Sequence, residues 1–182
     1  MTRDMSPSKT LYAVVCAAGP ARDVGNLVQL AQQRNWSVQV VSTPSALSWL
    51  DIPALEAQTK RPVRSAHREP GAPRTGRADA IVLAPASFNT INKLANGISD
   101  NYALDLLNEM MGLNVPLAIL PFTNTAYFRR APFQRSLRFL REEGVSILTG
   151  ERGFEPHDPG AGDGRRETFP WHCALDAVET AL

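Results

Sequence analysis

What this chain has little of narrows it first. Two cysteines in 182 residues, Cys16 inside an apolar run and Cys173 near the end, do not make a disulfide framework. The three histidines, His67, His157 and His172, share no metal-ligand spacing with each other or with the cysteines, which argues against a metal site. No GxGxxG and no Walker A string is present, so a dinucleotide held in the usual way and ATP are both disfavoured. Ser87 lies in no G-x-S-x-G elbow, and a hydrolase triad loses its support. No apolar run approaches a membrane span, and nothing at the N-terminus reads as a signal peptide. A net charge of +1 offers no electrostatic reason to expect nucleic acid or a membrane surface as partner. The default expectation is a cytoplasmic protein.

What is present is alternation. A polar tail over 1–10, expected to be disordered, precedes a single expected domain over 11–182. Continuous apolar runs predict buried strands over 11–17, 38–41, 80–84, 117–120 and 145–148. Between them the 3.6-residue period predicts helices over 23–35, 100–111, 132–144 and 171–182, with shorter turns over 45–50 and over 52–60, the latter broken at Pro53. Strand followed by helix, repeated, argues for an α/β fold with a doubly wound parallel sheet.

Three stretches break the pattern. Residues 60–77 carry Pro62, Pro70, Gly71, Pro73 and Gly76 among five arginines, and an irregular stretch of that length is more often functional than idle. Residues 122–131 read as a loop. Residues 150–170, rich in Gly, Pro and charge, read as a mobile loop or flap.

The chain is organised around 78–101. An apolar run ends at Pro85, which has no N–H and is expected to stop the strand ladder. Ser87, Asn89 and Thr90 follow as a polar cluster able to cap a helix whose apolar face is Ile91, Leu94, Ala95 and Ile98. Strand, polar turn and helix start make a place for an anion or a ring at the carboxyl edge of a sheet. Gly19 and Thr43, at the ends of the first two strands, are candidates for phosphate contact, and equally plain turn residues. His67, in the basic irregular stretch, is the best candidate for a base working near neutral pH, although a lone loop histidine is more often a surface residue. Arg129-Arg130 and the string 133–138 read as a solvated helix face, and Met110-Met111 as core.

Pro85-Ala86-Ser87-Phe88-Asn89-Thr90, with Gly97 and Asp100-Asn101 downstream, resembles the signature of the homo-oligomeric flavin-containing cysteine decarboxylases, with Phe88 where a small residue is usual. Pro121-Phe122-Thr123-Asn124 is similar to that family's Pro-x-Met-Asn clamp, with Thr123 replacing methionine, and 132–137 resembles its following Pro and Gln-Arg-x-Leu. The likeness runs from about residue 11 to 148. It implies a flavodoxin-like three-layer sheet that binds FMN between subunits of a trimer or a trimer-based dodecamer. By the same resemblance Gly19, Thr43, Pro85, Ser87, Phe88, Thr90 and Asp100 would face the flavin. Asn89 would hold the substrate carboxylate, Pro121, Thr123 and Asn124 would contact substrate, and His67 would be the base. The setting of His67, Ser65 to Pro70, departs from the family's histidine-then-aliphatic pattern.

The implied reaction oxidises the Cβ–S unit of a cysteine to a thioaldehyde, after which CO2 leaves and an enethiolate remains. The coenzyme A branch of the family uses a flap cysteine for a later reduction, and 150–166 here contains none. The expected substrate is therefore a ribosomal peptide with a free C-terminal cysteine, and the product an aminoenethiol for aminovinyl-cysteine formation. Two other readings stay open: another flavoprotein of this fold (a small-thiol decarboxylase or a flavin prenyltransferase), and a non-catalytic FMN-binding regulatory subunit.

Overall fold

The structure, a computed structural model, describes residues 9–71 and 76–182. Five strands form one parallel sheet: β1 (Thr10–Val15), β2 (Ser37–Ser42), β3 (Ala80–Ala86), β4 (Leu117–Pro121) and β5 (Ser146–Ile147). Their spatial order is β2-β1-β3-β4-β5, the flavodoxin-like arrangement, with the order reversing between β1 and β3. The alternation of side chains along each strand sorts the core into two layers. Leu11, Ala13, Val15, Val38, Val40, Val82 and Leu120 face α1 (Gly25–Gln33), α2 (Ile52–Thr59) and α7 (Trp171–Thr180). Tyr12, Val14, Ile81, Leu83 and Ile119 face α3 (Phe88–Ala95), α4 (Tyr102–Gly112) and α6 (Ala131–Glu142). Helices on both faces bury every central strand, which is why these strands read as unbroken apolar runs.

Several expectations are corrected. Thr10 already belongs to β1, paired with Ser37, while the remaining tail residues 1–8 lie outside the described residues, as do Pro73 and Arg74. Pro85 does not end β3. The strand shifts register between Leu83 and Ala86 and continues to Ala86, because Pro85 contributes its carbonyl, which accepts from Cys16 N–H at 3.1 Å, and needs no N–H there. Pro53 does not break its helix either: it sits in the first turn of α2, where its missing N–H costs nothing. The helix expected over 23–35 divides into a 3-10 turn at Gly19–Asp23 and α1. Ile98 lies beyond α3 and is exposed. The stretch 122–131 contains a one-turn helix, α5 (Thr125–Phe128).

The largest correction concerns 150–170, which is docked rather than loose. Phe154 and Phe169 are buried beside Phe122 and Trp171, and two short 3-10 turns, Gly150–Arg152 and Asp163–Thr168, carry the chain between them. Backbone bonds pin its middle: Thr125 N–H donates to the His157 carbonyl at 2.8 Å, and His157 N–H to that of Thr123 at 3.3 Å. Among the described residues no helix is long and apolar enough to cross a membrane.

Candidate functional site

A cavity of about 350 Å³ opens at the carboxyl edge of β1, β3 and β4, where the strand order reverses. Three segments build it. The first, Ala17-Ala18-Gly19, leaves β1; its small residues let the backbone approach closely, and a Cβ on Gly19 would already touch the Phe122 ring at 3.4 Å. The second is the start of α3, Ser87-Phe88-Asn89. The third runs from Phe122 through Thr123 and Asn124 to Tyr127, with His157 laid across it from the docked segment.

Local rules shape each part. Ser87 is the N-cap of α3: its Oγ accepts from Thr90 N–H at 3.2 Å and lies 3.1 Å from Thr90 Oγ1. The N–H groups of Phe88 and Asn89 have no intrahelical acceptor, and the helix dipole adds positive potential at the same end, so this edge suits a phosphate or carboxylate. Asn124 caps α5 through Tyr127 N–H at 2.9 Å, which fixes the turn that carries the Tyr127 ring. Phe88 stacks between Tyr127, at 4.7 Å between centroids, and the buried Phe133, at 5.0 Å. An aromatic wall thus stands where the resembled signature has a small residue. Below the floor, Cys16 is fully buried; burial pushes its thiol pKa up, partly offset by hydrogen bonding with the Thr90 side chain and with Ser87.

Six of the expected residues meet at this cavity: Gly19, Ser87, Phe88, Asn89, Thr123 and Asn124. Others support it without lining it. Pro85 and Pro121 are buried in β3 and β4, Thr90 is buried under the cap, and Thr43 donates its N–H to Val15 C=O at 3.0 Å on the β2 side. Asp100 lies in the connection between α3 and α4, exposed and paired with Lys93. His67 is also elsewhere. It lines a separate groove of about 470 Å³ along α4, edge-on to Tyr102 and 3.8 Å from Asp105, and that groove shares no residue with the cavity.

Ala17, Ala18, Phe122, Tyr127 and His157 line the wall without being among the expected site residues, although Tyr127 stood out in the 122–131 loop. Phe122 fell on the free position of the Pro-x-x-Asn string. His157 was weighed only for metal spacing, and its parallel bridge to Asn124 leaves no local pattern.

Comparisons with known proteins agree with the fold. The family model described as Flavoprotein matches residues 2–168. The coenzyme A biosynthesis bifunctional protein CoaBC of Haemophilus influenzae is 28% identical over 137 residues, 71% of this chain and 33% of that protein. The chain thus spans about a third of the length of the curated relatives it matches. Among solved structures, a variant PPC decarboxylase complexed with pantothenoylaminoethenethiol superposes with a TM-score of 0.66 at 25% identity, covering 78% of this chain and 81% of that one. The FMN binding protein AtHal3 gives the same TM-score, 0.66, and identity, 25%, covering 78% and 80%. A variant of EpiD complexed with a substrate peptide, DSYTC, gives 0.67 at 20% identity, covering 85% and 87%.

Proposed function

The chain belongs to the Flavoprotein family, and from that membership we infer that it binds FMN and oxidatively decarboxylates the C-terminal cysteine of a peptide, releasing an aminoenethiol. One observation carries the reading: the two strings that resemble the decarboxylase signature, 85–90 and 121–124, are far apart in sequence and bring Ser87 to Asn89 and Phe122 to Asn124 to one cavity at the reversal of strand order. The residues fit a flavin. Ala17, Ala18 and Gly19 leave room for a flat ring, Phe88, Phe122 and Tyr127 supply apolar faces, and the uncapped N–H groups of α3 suit a phosphate or the substrate carboxylate. FMN, when bound, supplies the two-electron acceptor for the Cβ–S unit of the substrate.

The chain's own residues orient and enclose. Asn89, exposed on the first turn of α3, is placed to donate to the carboxylate that leaves as CO2. Thr123 and Asn124 form the opposite wall, and Tyr127 stands half-exposed beside Phe88. Within one chain His67 does not reach this cavity, so its assignment as base goes with a homo-oligomer, a trimer or a trimer-based dodecamer, in which its groove meets a neighbour's site. The peptide bound by EpiD ends in cysteine, which supports a peptide substrate; the CoaBC relatives favour a small-thiol decarboxylase as the second reading.

Incubating the flavin-loaded chain with a cysteine-ended peptide tests the first reading. A loss of about 46 mass units, CO2 plus two hydrogens, is expected. The same loss from a phosphopantothenoyl-type thiol alone supports the second, and no change with any thiol supports a regulatory subunit.

A further inference from the structure

A strongly basic surface begins at the rim of the cavity. Between Phe122 and Arg141 the chain carries Arg129, Arg130, Arg135, Arg138 and Arg141 and no aspartate or glutamate, although the whole chain balances at +1. All of these arginines are exposed, and among the described residues none forms an ion pair. Arg141 donates to Thr149 Oγ1 at 3.2 Å. Arg129 and Arg130 follow closely on the wall residue Tyr127, at the junction of α5 and α6. From there α6 links the parallel strands β4 and β5, so it runs from the carboxyl edge, where the cavity opens, back toward the amino edge. Its inner face is Phe133, Ser136, Leu137 and Leu140, which leaves Arg135 and Arg138 one turn apart on the outer face. Phe139, 44% exposed and four residues after Arg135, stands beside them. The stripe therefore leads away from the cavity mouth, with like charges stacked on one helix and Glu142 and Glu143 only at its far end.

We propose that this arginine stripe docks an acidic segment of the substrate peptide, upstream of the C-terminal cysteine held in the cavity, an assignment that rests on the reading above. Guanidinium groups pair carboxylates in a two-pronged geometry, and a row of them without internal partners is complementary to an acidic chain. The twelve residues of α6 span about 18 Å, enough to lie beside about five residues of extended peptide. Phe139 offers an apolar contact within the same strip. The stripe also separates two classes of thiol. A peptide long enough to pass Tyr127 reaches the arginines, and a short thiol that ends inside the cavity gains nothing from them.

Three labelled synthetic peptides test it, all ending in cysteine and carrying upstream a run of glutamates, of glutamines or of lysines. Their binding to the flavin-loaded chain is read by fluorescence anisotropy. At low salt the glutamate peptide is expected to bind wild type about tenfold more tightly than the glutamine peptide. Salt at about 0.5 M should remove that gain. The double variant Arg135→Glu, Arg138→Glu is expected to lose the gain and to prefer the lysine peptide, a reversal that a damaged fold would not produce. Equal binding of glutamate and glutamine peptides to wild type, or a preference that survives the double variant, overturns the proposal. So does a single-stranded RNA oligomer that displaces the glutamate peptide at lower concentration than the unlabelled peptide does, or a change of oligomeric mass in the double variant, which would give the stripe to a second copy. If the arginine-dependent preference is found but no peptide releases CO2, the docking surface stands and the decarboxylase reading falls. If CO2 leaves the glutamate and glutamine peptides with the same kcat/KM at low salt, the reading stands and the docking surface falls.

Discussion

Gly153 lies so close to Leu148 that a Cβ on it would stand 2.2 Å from the Leu148 carbonyl oxygen and 2.7 Å from Leu148 Cβ. The contact is backbone against backbone, with Phe154 N–H approaching the same carbonyl at 3.4 Å, so no flexible side chain can give way. It is where the chain turns back after β5 and seats Phe154 among Phe122, Phe169 and the core.

Gly153→Ala is therefore expected to unseat the segment that carries His157. Overpacking of this kind costs about 1–3 kcal/mol. Chemical denaturation measures the loss, and limited proteolysis is expected to cut the variant between β5 and α7 before wild type. Equal stability and an unchanged cleavage pattern would show that the segment is not held there.

Ser87→Ala removes the side-chain acceptor for Thr90 N–H at the start of α3. A lost N-cap costs about 1 kcal/mol. Because the cap also fixes the approach of Phe88 and Asn89 to the cavity, FMN affinity is expected to fall alongside stability. Ser87→Thr, which restores the acceptor, is expected to recover most of both.

The cysteines differ in a way that alkylation followed by mass spectrometry can read. Burial raises the pKa of Cys16, and burial followed by the nearby charge of Asp176 raises that of Cys173 on half-exposed α7. Native chain is expected to label slowly at Cys173 and not at Cys16 until it unfolds. The raised Cys16 value means that the folded state keeps a proton that the unfolded thiol releases above about pH 8.5. Stability present below that pH is thus lost as pH climbs past it, and Cys16→Ala should show a shallower decline. Parallel declines would rule out this thiol as the source.

The alternation of five apolar runs with amphipathic stretches was enough to read a parallel α/β sheet, because both faces of each central strand are buried and helices such as α3 and α6 show one strong apolar stripe. Boundaries erred where a residue's usual penalty is absent: Pro85 has no N–H to give, but β3 uses its carbonyl, and Pro53 sits where a helix needs no donor. Half of the cavity was legible too, because Ser87 to Asn89 and Thr123-Asn124 each follow a strand directly. The other part was not. His157 reaches the cavity through a pairing with Asn124 across a turn, a four-residue helix, α6 and β5, and no local period reports such a pairing. His67, prominent in sequence for its basic setting, folds against Tyr102 and Asp105 instead.

The aromatic run from Phe122 through Phe154 and Phe169 to Trp171 fastens both ends of the 150–170 segment to the layer beneath α7. A protein built this way changes what it accepts by exchanging individual wall side chains rather than by swinging a lid, and tolerance for inserted residues should be confined to the exposed tip at Pro159, Gly160 and Ala161.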